Sequence, residues 1–206
     1  MKAVAVIEIT NKVARIIVGN VIDEKPVIIY TNEKPIEGMV ARGEIVDFNG
    51  ICNVLKSIRA IQDANLHLKL TISEATLVIP PLGLEVFQAD KTTNIVSPTS
   101  IIEQIDISNV LSLVSKEKVP SGSEIVDIIP DIFITESGQV FDVPPLGQKS
   151  NSLTVRAKVF ALPNRVIEQY RRVLESAGIR TRRIILSPYA SGSRGFLSIA
   201  LFFNEV

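Results

Sequence analysis

Between Ala3 and Pro81 the spacing of apolar residues changes twice, and this restricts the fold more than any single motif. Ala3 to Glu8 and Val13 to Val21 are rich in Val and Ile, the composition of strands. "PVIIYT", Pro26 to Thr31, reads as a third strand after the polar "IDEK" turn. A looser stretch, "IEGMVARGEIVDFNG", follows, with glycines at 38, 43 and 50. Then the period lengthens. Ile51, Val54, Leu55, Ile58 and Ile61 are spaced for one helical face, with Asp47 or Asn49 as the cap. "EATLVIPP", Glu74 to Pro81, returns to a buried strand that two prolines stop. Three strands, a helix and another strand begin an α/β layer.

The next segment has a different texture. Leu84 to Val96 predicts a strand or hairpin. A helix is expected from Asp106 as N-cap, with Ile107, Val110, Leu111 and Val114 on one face, and Val119 to Gly122 breaks the pattern after it. "SEIVDIIPDIFIT" reads as a strand pair or one bent strand, with Pro130 at a bulge or edge. "ESGQVFDVPPLGQKSNS" reads as loop, and "LTVRAKVFAL" alternates as a half-buried strand does. The chain then returns to helix. Asn164 caps a run whose apolar stripe is Val166, Ile167, Tyr170, Val173, Leu174 and Ala177, and Gly178 closes it. "RTRRIILSP" supplies one more strand. The pattern is an α/β domain interrupted by a small α+β unit.

Composition sets the class. Lys plus Arg and Asp plus Glu are balanced at 22 each, so no net field draws nucleic acid or anionic lipid. A hydrophobic fraction of 46% is that of a folded domain, and the chain is long enough to bury a core. One cysteine, Cys52, leaves no internal disulfide framework and suits a reducing compartment. Met1-Lys2 leads straight into strand alternation without a signal-peptide pattern. No apolar run approaches the roughly 20 residues that span a bilayer. The expectation is a soluble, cytoplasmic domain.

Five stretches, in order, resemble the bacterial cell-division FtsA family. "AVIEI…ARIIVG" is similar to that family's opening hairpin, and "IEGMVARGEIVDF" to its glycine-rich stretch before the first helix. "SEIVDIIPDIFITE" and "DVPPLGQKSNSLTVRAKVF" resemble two central motifs. "LPNRVIEQYRRVLESAGIRTRRIILSPYA" matches the helix, turn, strand and "S-P-x-A" ending. The resemblance implies an α/β, actin-like (ribonuclease H-like) domain 1A with an inserted small α+β subdomain 1C. Residues 1–82 and 162–190 would be 1A, residues 83–161 would be 1C, and residues 191–206 would be a tail outside the family pattern. Such proteins polymerise on the membrane, tether the ring protein FtsZ and recruit later division proteins, partly through 1C. The pilus-assembly protein PilM shares the layout and is the near neighbour.

The same resemblance implies ATP with magnesium at the opening hairpin, where the family reads D-x-G-T/S-S/T followed by Lys. Here Glu8 falls at the aspartate, Thr10 at the glycine, Asn11 at the threonine, Lys12 at the next hydroxyl and Arg15 at the lysine. Glu8 keeps a carboxylate, one methylene longer. Thr10 is the serious departure, because a β-branched residue resists positive φ and crowds a phosphate. Lys12 or Arg15 would meet phosphate as point charges. The plain alternative is a solvated hairpin turn. The family's second nucleotide-clasping hairpin has no counterpart before "SGSRGFLSIALFFNEV", so the expectation is a truncated or reduced member that does not hydrolyse nucleotide. That tail reads as an edge strand or an added remnant rather than a membrane-surface helix, for which it lacks a charged face.

Other residues carry less. His67 has no second His and no nearby Cys to complete a metal site, and Cys52 reads as a small buried hydrophobe. Arg171, Arg172, Arg180, Arg182 and Arg183 form a basic patch, read as a solvated surface near a helix end or as a dock for an acidic partner. Asp23–Glu24 and Asp127–Asp131 lack acid/base spacing. The expected function is an actin-like scaffold at the inner face of the cell membrane at the division site, with no catalytic residues. Its partners would be FtsZ and later division proteins, although the family's FtsZ surface lies largely outside these residues. Self-association is open, and membrane contact would come from parts of the family not present here. The partner surface is expected on the exposed strand of residues 153–162 and the helix near 106–115. The alternatives are a PilM-like peptide-binding protein and an ATP-dependent actin-fold enzyme.

Overall fold

A strand covered on both faces needs a near-continuous apolar run, and β1 (Val4–Ile9) supplies one: every residue but Glu8 is buried. It is followed by β2 (Val13–Ile22), β3 (Lys25–Pro35), the short pair β4 (Val40–Ala41) and β5 (Glu44–Ile45), and α1 (Phe48–Arg59). Next come β6 (Ala60–Asp63), β7 (Leu68–Thr71), β8 (Glu74–Ile79), β9 (Glu85–Asn94) and α2 (Gln104–Val114). The chain continues through β10 (Ser123–Thr135), β11 (Val140–Phe141), β12 (Ser152–Pro163), α3 (Asn164–Ser176) and β13 (Arg180–Leu186). The computed structural model describes residues 4–22, 25–63 and 68–187. Two compact units divide these described residues: those up to 82 together with those from 164 onward, and residues 83–163.

The first unit is built on a five-stranded mixed sheet in the order β13-β8-β1-β2-β3. β13, β8 and β1 run parallel, whereas β2 and β3 run antiparallel to their neighbours. Asp47 starts α1, its carboxylate accepting from the Gly50 N–H at 2.8 Å. Ile51, Cys52, Leu55 and Ile58 are the buried stripe. Ile61 does not extend that stripe, because the helix ends at Arg59 and Ala60 is extended; Ile61 is buried from β6 instead. The β6–β7 hairpin had no counterpart in the sequence reading.

α3 buries Val166, Ile167, Tyr170, Val173 and Leu174, the expected stripe. Its end is set by Gly178, at φ +77°, with the Ile179 N–H donating to the Leu174 carbonyl at 2.9 Å. Arg59, from the last turn of α1, donates to the Ala177 carbonyl. A Cβ on Gly178 would collide with that guanidinium. One glycine thus serves both the left-handed turn and the close approach.

The second unit is a four-stranded antiparallel sheet, β11-β10-β12-β9, with α2 packed on one face. Ala89, Val110, Val114, Phe133, Val155 and Val159 lie at the centre of its core. β9 is a single strand. β10 is one bent strand, with register shifts between Ile125 and Asp127 and between Pro130 and Ile132. Pro130 sits at the second irregularity, on the side of β12, in a stretch with no strand on its outer side among the described residues.

Two expectations need correction here. The strand of residues 153–162 is not an exposed edge: β12 is central, paired along its length with β10 and β9. Its alternating, half-buried pattern reflects a sheet with one covered face, which a lone strand cannot distinguish from an edge. The N-cap of α2 is Glu103, not Asp106. Asp106 lies one turn inside and is fully buried, accepting from the Glu103 N–H and the Val96 N–H, each at 2.9 Å.

Candidate functional site

Cross-strand register builds the hairpin site. Glu8 lies opposite Arg15 on β2, and Arg15 lies opposite Glu33 on β3, so the three form one row on one sheet face. Arg15 donates to Glu8 at 3.0 Å and to Glu33 at 3.0 and 3.1 Å. Glu8 is the most enclosed of the three, with its side chain only 12% exposed. The Ser187 hydroxyl stands 3.5 Å from the other Glu8 oxygen. On the same face, Val4, Val6, Ile17, Val78 and Ile185 form an apolar cluster around this row.

Thr10 closes the turn. Its hydroxyl accepts from the Val13 N–H at 3.0 Å and the Lys12 N–H at 3.2 Å, and donates to the Val13 carbonyl at 3.1 Å. The Thr10 N–H donates to that same carbonyl at 3.0 Å. No residue from 10 to 13 has positive φ. Asn11 faces elsewhere, its side-chain oxygen accepting from the Gly43 N–H at 3.1 Å. Lys12 is exposed, with no ion-pair partner among the described residues. Glu8 and Arg15 are therefore brought together, while Thr10 bonds within its own turn, Asn11 binds Gly43 and Lys12 is exposed.

Sequence reading missed what lies around this turn. Arg42 and Gly43, at φ +52° and +82°, form the two-residue turn between β4 and β5. The Gly43 carbonyl accepts from the Tyr170 hydroxyl at 3.0 Å, and Gln169 donates to the Ile45 carbonyl at 2.8 Å. Arg165 pairs with Glu44 at 2.6 Å. A strap thus runs from the hairpin turn to α3. Burial pushes the Tyr170 phenol above its ordinary range. Beside the strap lies a shallow groove of about 560 Å³ lined by Glu44, Phe48, Arg165, Glu168, Gln169 and Arg172. The missed partner Glu33 left one trace in sequence, a charge opposite in sign to Arg15 on the following strand. Only register shows that the two meet.

The basic patch is partly neutralised: Arg171 pairs with Glu168 and Arg180 with Glu74. Cys52 is buried in α1. His67, the Asp23–Glu24 pair and the tail lie outside the described residues. Among the described residues no cluster of His, Cys, Asp and Glu is placed to hold a metal ion, and no helix is long and apolar enough to cross a membrane.

The second unit holds most of the exposed large apolar side chains among the described residues. Val86, Val96, Ile101, Ile105, Leu113, Val140, Val143 and Leu146 belong to it, against Val27, Ile29 and Val46 in the first unit. Several share one end. Ile101 bridges to Lys149, and the Gly147 N–H donates to the Ile102 carbonyl at 2.9 Å, so segments 96–105 and 143–149 lie together. Asp106 fixes that end by holding the Val96 backbone against the start of α2.

No protein-family model matches the chain. It is 26% identical over 151 residues to the cell division protein FtsA of Streptococcus pneumoniae, covering 73% of this chain and 32% of that protein. It is 24% identical over 187 residues to FtsA of Bacillus subtilis, covering 91% of this chain and 42% of that protein. For FtsA of Enterococcus hirae the figures are 23% over 184 residues, 89% and 41%. Among solved structures, a chain of a PilM-PilN type IV pilus biogenesis complex superposes with a TM-score of 0.57 at 12% identity. That match covers 91% of this chain and 48% of the other. The chain spans less than half the length of these relatives. Over most of its own length the chain is distantly but consistently similar to the cell division protein FtsA.

Proposed function

We propose that the chain is an FtsA-like cell-division scaffold acting by protein–protein contact, with the first unit as actin-like subdomain 1A and the second as inserted subdomain 1C. The single observation that carries this reading is the apolar end of the second unit. Val96, Ile101, Ile105, Val143 and Leu146 are exposed there, held by backbone bonds and a buried carboxylate rather than left on a loose loop. Such apolar surface on a fixed frame favours association. The proposed partners are division proteins that arrive after the FtsZ ring forms, and the proposed place of action is the cytoplasmic face of the membrane at the division site. FtsZ itself is the weaker candidate partner, since the family's surface for it lies largely outside these residues. No catalytic role is assigned. The outer edge of β9, which pairs with no further strand among the described residues, offers a second mode, in which a partner segment pairs as an added strand.

The likeness in fold to PilM supports a second reading, in which the same unit takes a short peptide from a pilus-assembly partner such as PilN. A panel of purified division proteins and of PilN-type peptides from the organism encoding the chain separates the two. The scaffold reading expects a division protein to bind the wild-type chain and Ile105→Asp to weaken it at least tenfold with the melting temperature unchanged, a loss of about 1.4 kcal/mol. Binding of the peptide alone supports the PilM-like reading, and binding of neither, with equal behaviour of Ile105→Asp, overturns both.

A further inference from the structure

The family that this chain resembles uses its opening hairpin to hold ATP and magnesium, and the residues here do not fit that task. A phosphate cradle requires turn N–H groups free to meet an anion and an acidic residue free to face a cation. In this chain both requirements are met internally. The Lys12 and Val13 N–H groups are aimed at the Thr10 hydroxyl, at 3.2 and 3.0 Å. The Glu8 carboxylate already has its cation in Arg15, at 3.0 Å, which a second carboxylate, Glu33, holds from the far side.

We infer that the β1–β2 hairpin is a self-liganded lock, in which the Thr10 hydroxyl takes the place of a phosphate oxygen and the Arg15 guanidinium that of a cation, so that nucleotide does not set the conformation of the first unit. Three features argue for a built arrangement. Register places Glu8, Arg15 and Glu33 in one row, so the pairing follows from the sheet and not from a chance side-chain conformation. Thr10 needs no positive φ to make its bonds, which suits a β-branched residue where the family has glycine. Asn11, at the next family position, is used to bind Gly43, and Gly43 is held in turn by Tyr170. A phosphate entering the turn would have to displace the Thr10 hydroxyl from two N–H groups, and it would approach beside two carboxylates. The exposed Lys12 ammonium alone offsets neither cost. This inference stands apart from the choice of partner: a scaffold of either kind is compatible with it, and it predicts that partner binding is independent of nucleotide.

The test is amide hydrogen exchange on the full chain, alone, with magnesium-ATP and with inorganic tripolyphosphate. The Lys12 and Val13 amides are expected to be protected without any ligand and unchanged by either addition. Thr10→Val keeps the shape and removes the oxygen, and should speed exchange at both amides by about tenfold, the equivalent of one hydrogen bond. Exchange of these amides at free-peptide rates in the wild type overturns the inference. So does saturable slowing by magnesium-ATP or tripolyphosphate, or a folded Thr10→Val variant with unaltered rates. If Thr10→Val does not fold, the wild-type measurements decide alone, because they require no substitution.

Discussion

The two units solve the burial of a sheet in opposite ways. In the first, neighbouring residues on a strand are both buried: β8 runs from Ala75 to Ile79 without an exposed side chain, and β1 is interrupted only by Glu8. In the second, β9 alternates, with Ala89 buried between exposed Gln88 and exposed Asp90. Parallel strands with both faces covered require the first pattern, and an antiparallel sheet with one helix on one face permits the second. The difference extends to polar groups. The first unit encloses one charged group of its ionic row, the Glu8 carboxylate, whereas the second leaves its cross-strand pairs, Asp90 with Arg156 and Asp131 with Lys158, largely in solvent. A closed unit and an open one thus share a chain, and the open one carries the apolar surface suited to a partner.

The largest effect expected from this contrast is in the cores. Leu77→Ala should cost about 2–5 kcal/mol in denaturant unfolding, and Val78→Ala beside it should also be costly, since both neighbours are buried. Gln88→Ala in β9 should lie within about 0.5 kcal/mol of wild type. Equal costs at Leu77 and Gln88 would erase the distinction. Next in size is Asp106→Ala, which removes the acceptor of two N–H groups and should cost about 1–3 kcal/mol. Its effect should be confined to amide exchange in residues 83–163.

A third test uses alkaline pH. The folded chain keeps the Tyr170 proton to higher pH than the unfolded chain, because burial raises its pKa. Its contribution to stability is therefore intact below the ordinary tyrosine pKa of about 10 and declines as pH rises above it. Tyr170→Phe should cost about 1 kcal/mol at neutral pH through loss of the bond to Gly43, and should lose that part of the alkaline decline. The last comparison is between two ion pairs, and the smallest effect belongs to the solvent-exposed one. Arg15→Ala strands the enclosed Glu8 and should cost about 1–2 kcal/mol, while Arg156→Ala, in solvent, should cost less, and its effect should fade with added salt.

Much of this was legible in the sequence where periodicity speaks for itself. The stripes of α1 and α3, the Gly178 stop and the bend of β10 at Pro130 all follow from local spacing and turn chemistry. What sequence could not supply was pairing. β12 looks like an edge until β9 is known to lie beside it, and Arg15 looks free until β3 brings Glu33 opposite. Asp106 read as a cap because aspartate favours that position, but burial and the Val96 N–H give it a long-range role. Ile61 kept the helical period by coincidence, since the following strand buries it from another element. For the candidate site, Glu8, Thr10 and Arg15 were found by position. How they are satisfied was not: the Glu8–Arg15–Glu33 row depends on three strands in register, and the Thr10 bonds depend on the shape of the turn.

The most direct test of the account is a hydrogen-exchange footprint of the chain bound to the division protein that it captures. The account predicts new protection in segments 96–105 and 143–149, with exchange at residues 8–15 unaltered by the partner or by nucleotide. Protection confined to the hairpin, with the end of the second unit unchanged, would contradict it.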